Sequence, residues 1–472
     1  NNHNNSNNNT SQGRTIIMPL TYNGNTGRNN YYAKTDRVSR YSSKKDKGKK
    51  TYFNDDMFDT NNNNNNSLNL NLTTINSNNI SNNNSVKPEC KSDKKTDYNE
   101  QIINSRIIQV MAHIKAPDRL NEIVKRCNFS LQKIINDLKP ELKKIVAKQK
   151  KDKDIDKWVY EIVPYGSCQH SLFVQGSSNI NFCLRIYVPL TKNDKKAKGN
   201  QKKKYNFIRL NGEQIRDVIR IVYDTLKKRK NELKIKNINT LQYVRCQKNL
   251  DNNIMQNIHY IDNKSNLKVT FVVDLLPFIG STRYLNSFIE IDNRFKHLGL
   301  IIKYWGYIRG IVPNILSTYA LLQLLIGFLQ SRRLLPILSI SKDNKTRLSP
   351  WSIQDDHEIN LNKFREYAEK NDESCAVLLK GFFKYYYKEH DYSEWAVSVL
   401  RGSIVDKEDH NNNNDDNMFY NDLCIEDPFQ PKMNLGNKVT KDDLKKLVNE
   451  FKRAYQILVT SHSLHNVCSK SE

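Results

Sequence analysis

A Gly166-Ser167 pair closes the β-type run WVYEIVPYGS, and Asn179-Ile180-Asn181 opens the next run, NINFCLRIYV. A Gly-Ser turn presents backbone N–H groups and a hydroxyl, donors that suit a phosphate. Alternate residues of a strand share a face, so positions 179 and 181 point the same way. Asp274 lies on a third run, LKVTFVVDLL, and a neighbouring strand would bring its carboxylate to the Asn pair. A Gly-Ser turn alone is usually only a turn, and Asp274 alone serves equally as a strand-end cap. Their order and spacing carry the functional reading. Gly280-Ser281 with Glu290-Ile291-Asp292 imitates the pattern, but that stretch reads as a helix. Residues i and i+2 of a helix lie about 200° apart and cannot chelate one ion.

The elements that must hold these residues follow from hydrophobic spacing. Ile102, Ile103, Ile107, Val110, Met111 and Ile114 recur at helical spacing, and a longer helical pattern runs from Pro117 to Lys148, interrupted near Pro140. The strand runs then begin, rich in Ile, Phe and Val, separated by a helical segment over 211–233. From Arg283 onward the pattern is almost all helix. This order predicts an α+β layout with two packed bodies. The expected division is an Asn-rich disordered region over 1–100, N-terminal helices over 101–154 packing on a helical lobe, a mixed-sheet lobe over 155–280, and the helical lobe over 281–465 with a polar insert at 405–418. No solenoid repeat is present.

Composition narrows the partners. Lys plus Arg is 75 against Asp plus Glu 50, a formal net charge of +25, which favours an anionic partner, nucleic acid ahead of membrane surface. Collagen, a disulfide scaffold and an integral membrane protein are excluded. The apolar stretch around 315–330 carries Ser317, Thr318, Gln323 and Gln330, so it reads as a buried helix and no membrane partner is expected. The eight cysteines form no C-x-x-C pair, which fits a reducing intracellular setting, cytoplasmic or nuclear, with an organelle left open. No leader pattern opens the chain as given, and residue 1 is Asn.

In order, these pieces resemble the DNA polymerase β-like nucleotidyltransferases, in particular the noncanonical poly(A) polymerases and terminal uridylyltransferases. That family carries a Gly-Ser turn, an Asp-x-Asp strand and a third Asp on a later strand. The resemblance extends through LNSFIEIDNRFKHLGLIIKYWGYIRGI, ILSTYALLQLLIGFLQ, LLKGFFKYYYKEHDYSEWAVSVLRG and LCIEDPFQPKMNLG, covering most of residues 100–460. It implies a nucleotidyltransferase-type mixed-sheet lobe packed against a helical lobe with a PAP-associated domain. It implies template-independent addition of AMP or UMP to an RNA 3′ end, with Mg²⁺ or Mn²⁺ held by carboxylates and ATP or UTP as substrate. A protein partner is a further implication. By the same resemblance Gly166 and Ser167 contact phosphate, Asn286 the ribose or phosphate, and Lys303 neutralises the triphosphate. Thr318 supplies a hydroxyl, Tyr319 stacks on the base, and Asp427 reads its edge.

The departure is at the centre, where Asn179 and Asn181 replace the two aspartates and leave Asp274 as the metal carboxylate. Each lost carboxylate–metal attraction is of order 4 kcal/mol at about 4 Å and an effective dielectric near 20. Two such losses would cost roughly five powers of ten in rate. A second lysine expected one turn after Lys303 is Tyr307, and a histidine of uridine-preferring members is Met433, which leaves ATP ahead. Two readings follow: a nucleotidyltransferase with impaired catalysis, or an inactive pseudoenzyme that binds RNA or a partner. The Asn pair is either natural or introduced. Lysine clusters at Lys143–Lys153, Lys195–Lys204 and Lys227–Lys230 are solvated charge or sequence-tolerant phosphate contacts. His462, His465 and Cys468 read as a fraying helix end rather than a zinc site.

Overall fold

Two apolar stripes, one set at strand spacing and one at helical spacing, build two separate cores. The computed structural model describes residues 98–147, 157–189, 205–244, 254–338, 361–407 and 421–470. The Asn-rich region up to residue 97, the lysines at 148–153 and 195–204, and the insert at Asn411–Asn417 lie outside the described residues.

The chain opens with helices α1 (Tyr98–Ile114), α2 (Leu120–Asp137) and α3 (Lys139–Ala147). Pro140 ends neither helix. It occupies the second position of α3, where its missing N–H costs nothing, and the break falls at Leu138. The sheet follows: β1 (Val159–Tyr165), a 3₁₀ turn (Gly166–Cys168), β2 (Ile180–Pro189) and β3 (Tyr205–Phe207), then α4 (Gly212–Lys228) and α5 (Lys230–Leu233), then β4 (Ile235–Val244), β5 (Ile254–Asp262) and β6 (Lys268–Val273). Its order is β1-β2-β6-β5-β4, with β3 beside β2. β2 and β6 run parallel, and the other pairs run antiparallel.

One face of this sheet packs against α2, α3 and α4, burying Leu131, Ile135, Leu142 and Val222 against Phe182, Leu184, Ile258 and Phe271. This corrects the expected domain division. Of the N-terminal helices only α1 joins the helical lobe, through Ile103, Ile107 and Ile114, whereas α2 and α3 belong to the sheet lobe. Helical spacing marks which face is apolar but not which partner covers it. β4 and β5 were not expected. β4 is an edge strand whose residues up to Thr240 are mostly exposed, so it carries no apolar alternation.

The helical lobe comprises α6 (Leu276–Ile291), α7 (Asn293–Ile308), α8 (Thr318–Ser331), α9 (Leu361–Ala368) and α10 (Cys375–Lys384), continued by a π-helical turn (Tyr385–Glu389). Strands β7 (Trp395–Ser398), β8 (Ser403–Asp406), β9 (Glu426–Asp427) and β10 (Gln430–Asn434) precede α11 (Lys441–Thr460) and α12 (Leu464–Val467). The two small hairpins, β7–β8 and β9–β10, correct the expectation of almost continuous helix. Strands of two to five residues are too short to show a period of two. Trp305 centres the core, with its ring 5.0 Å from Phe383 and 5.5 Å from Phe451. Every residue of α8 from Ala320 to Gln330 is buried, which explains its hydrophobicity. No helix among the described residues is long and apolar enough to cross a membrane. The α+β architecture of a mixed sheet and a helical lobe is as expected.

At Gly327 of α8 an added Cβ would lie 2.6 Å from Val397 Cγ1 of β7. Gly327→Val should therefore lower stability by about 1–3 kcal/mol through overpacking. A thermal melt reading several degrees lower checks this, and an unchanged melt contradicts the packing.

Candidate functional site

The parallel pairing of β2 and β6 sets the floor of the site. Its register places Asn181 opposite Thr270, while β1 places Tyr165 opposite Asn181. Asn179 stands just ahead of β2 and its Nδ2 donates to Thr270 Oγ1 at 3.4 Å, which lies 3.1 Å from His259 Nδ1 on β5. Gly166 follows β1 with φ +74°, and a Cβ there would approach Asn181 Nδ2 to 2.9 Å. Only glycine combines that backbone with that proximity. The Gly166 N–H donates to Thr282 Oγ1 of α6 at 2.8 Å, so the turn is fastened from the helical side. Gly166, Ser167, Asn179 and Asn181 are thus brought together, each half-buried.

Lys303 reaches this turn from α7. Its buried Nζ donates to Ser167 Oγ at 2.8 Å, to Ser178 Oγ at 3.4 Å, and to the Leu172 carbonyl. Burial lowers its pKa to about 7. The ammonium anticipated for a triphosphate is therefore turned inward, where it ties the loop between β1 and β2 to the helical lobe. His170 is buried beside it, and burial followed by the Lys303 charge drops that imidazole to about 3, so it stays neutral.

Asp274 does not join the site, and this corrects the expected metal set. β6 ends at Val273, and Asp274 turns off it with φ +54° while its N–H bonds the Leu184 carbonyl. Four residues of strand beyond Thr270 amount to about 13 Å. Its carboxylate accepts from the Leu210 N–H at 2.9 Å, and burial raises its pKa to about 6 despite that bond. The residue that faces the Asn pair is Thr270. The sequence signal was available: Thr270 is the one polar residue in the buried run Val269–Val273.

The remaining expected residues are spread over the helical lobe. Asn286 lies half-buried on α6, one turn beyond Thr282. Ser317 caps α8 by accepting from the Ala320 N–H at 3.0 Å, and Thr318 is the first helical residue. Tyr319 points its hydroxyl at Asp427 Oδ1, 3.5 Å away, and that oxygen also accepts from the Phe429 N–H at 2.9 Å. Burial and the Asp427 charge hold the Tyr319 phenol far above its ordinary pKa, so it remains a neutral donor. Tyr307 is exposed on α7. His462 Nδ1 engages the Leu458 carbonyl and Cys468 is buried, whereas His465 is exposed, so the three do not converge on one site.

Mg²⁺ demands several oxygen ligands including carboxylate. Asn179, Asn181 and Thr270 are all neutral, and no cluster of three His, Cys, Asp or Glu among the described residues could hold a metal. The residues present do not fit the ion.

Between about pH 7 and the ordinary lysine pKa of about 10.4, the unfolded chain binds the Lys303 proton that the folded chain has released. Stability therefore rises with pH across that window. Lys303→Met should flatten this rise in thermal melts taken from pH 7 to 10, and an unaltered slope would contradict the lowered pKa of the buried lysine.

Comparison with known proteins places this geometry. Residues 374–433, from the start of α10 to β10, match the model of the Cid1 family poly A polymerase. Poly(A) RNA polymerase cid11 of Schizosaccharomyces pombe is 32% identical over 196 residues, covering 41% of this chain and 39% of that protein. Poly(A) RNA polymerase GLD2-A of Xenopus laevis is 24% identical over 239 residues, covering 49% of this chain and 43% of that protein. The matches to these relatives span about two fifths of their length. A solved structure of the GLD-2/RNP-8 complex superposes with a TM-score of 0.55 at 18% identity, covering 78% of this chain and 98% of that one. A Cid1 structure superposes at 0.51 and 16% identity, covering 79% and 98%. The chain thus carries a module of the Cid1 family poly A polymerases over residues 374–433, is similar in sequence to poly(A) RNA polymerases, and shares the two-lobed fold of the GLD-2 and Cid1 structures.

Proposed function

We propose that this chain is a non-catalytic member of its family, an RNA-binding subunit that keeps the cleft of an RNA 3′-end nucleotidyltransferase and has lost its metal centre. The observation that carries the reading is Thr270. The side chains gathered beside the Gly-Ser turn are two amides and a hydroxyl, and the nearest candidate carboxylate, Asp274, is committed to the Leu210 backbone. Three missing attractions of about 4 kcal/mol each exceed what an enzyme of this class could lose and still turn over. Tyr307 and the inward Lys303 support the same reading, since neither offers an ammonium to a triphosphate. The +25 net charge supports RNA as the partner. A protein partner belongs to the same proposal, and the GLD-2 neighbour, solved with RNP-8, is its precedent. The absence of C-x-x-C pairs supports a reducing cytoplasmic or nuclear setting. The paired Tyr319 and Asp427 favour the impaired-enzyme reading, in which AMP is added ahead of UMP.

The test is extension of a labelled oligo(A) and an unrelated RNA with each NTP, in Mg²⁺ and in Mn²⁺. The unchanged chain should leave both RNAs unextended. Asn179→Asp/Asn181→Asp should also be silent, because position 270 still lacks a carboxylate. Adding Thr270→Asp should produce the first tails, and the NTP consumed identifies the ancestral preference. Tails from the unchanged chain would overturn the proposal.

A further inference from the structure

Replacing carboxylates by amides and a hydroxyl does more than remove a cation. It reverses what the floor of the cleft can bind. An aspartate set repels phosphate until divalent ions are present, whereas Asn179, Asn181 and Thr270 carry no charge. Each Asn amide has two N–H groups, and Thr270 takes one of the four. Asn181 Nδ2 lies against the Gly166 backbone, beside Ser167. Ser167 Oγ accepts from Lys303 Nζ, and a hydroxyl that accepts still has one O–H to donate. The result is a half-buried set of neutral donors on Asn179, Asn181 and Ser167, with the turn beneath them held by Lys303.

We propose that the former metal site of this chain binds a phosphodiester of single-stranded RNA directly, with no divalent cation. This rests on the loss of the metal centre argued above. Charge selects the ligand. A phosphodiester carries one negative charge, which several neutral N–H and O–H donors can match. A nucleoside triphosphate carries several, and Tyr307 supplies no second ammonium to balance them. RNA is therefore preferred over the free nucleotide.

The experiment is fluorescence anisotropy of a labelled oligo(A) at fixed salt, in EDTA and in Mg²⁺, with the full chain. The unchanged chain should bind equally in both. Asn179→Asp/Asn181→Asp/Thr270→Asp should bind about tenfold or more weakly in EDTA and recover in Mg²⁺, because introduced carboxylates repel phosphate until a cation covers them. Asn181→Ala, a milder change, should weaken binding several-fold in EDTA, by the loss of a hydrogen bond to a charged group, with no recovery in Mg²⁺. ATP should not compete in EDTA. Three results would each overturn the inference: a Mg²⁺ requirement in the unchanged chain, EDTA affinity untouched by both variants, or displacement by ATP. Untouched affinity would place the RNA on the basic surface instead. An unchanged chain that binds no RNA also overturns it, while the silence of the extension assay still stands. Tails in that assay would instead remove the non-catalytic reading on which it rests.

Discussion

One buried lysine organises the cleft. Lys303 leaves the core of the helical lobe on α7 and ends among Ser167, the Leu172 carbonyl and Ser178, three points on the loop that joins β1 to β2. An isolated ammonium in that position would carry a large desolvation penalty. Three acceptors take its N–H groups, and burial lowers its pKa to about 7. The loop so pinned delivers Gly166 to Asn181 and Asn179 to Thr270. Thr282 secures the same turn from α6, so two helices of the helical lobe hold it in place.

The three neutral side chains Asn179, Asn181 and Thr270 are consistent with one another. A carboxylate cluster without metal would repel itself, and restoring one or two members of the set would leave charge with no cation to meet it. Asn179, Thr270 and His259 instead form a neutral contact chain of amide, hydroxyl and imidazole across β2, β6 and β5. The His259 pKa is lowered, first by burial and then by Lys268, which favours its neutral form. Asp274 has a structural task that accounts for its presence without any metal. It closes the crossing from β6 to α6 in a left-handed conformation and holds the backbone at Leu210.

Much of this was legible in the residues. The β1 and β2 runs, the Gly-Ser turn and the Asn pair stand where spacing put them, as do the α7 and α8 cores. Register was not legible. Reading LKVTFVVDLL as one strand made Asp274 the natural partner of the Asn pair, but parallel pairing fixes position 270 opposite 181 and the strand stops one residue short of Asp274. The partner of a helix face was not legible either, which is why α2 and α3 were expected on the wrong lobe. Lys303 was expected in the site, and its inward direction depends on acceptors supplied by a loop far away in sequence. The edge strand β4 and the short hairpins had no periodic signature to read.

The central claim is that the cleft holds no divalent metal, and Mn²⁺ binding followed by electron paramagnetic resonance tests it most directly. Free Mn²⁺ gives a strong solution signal that diminishes when the ion is bound. With the unchanged chain in excess, the free-ion signal should persist undiminished, and it should fall when Asn179, Asn181 and Thr270 are all replaced by Asp. Loss of the free-ion signal in the unchanged chain, reversed by mutating Asn179 or Asn181 to Ala, would contradict the account.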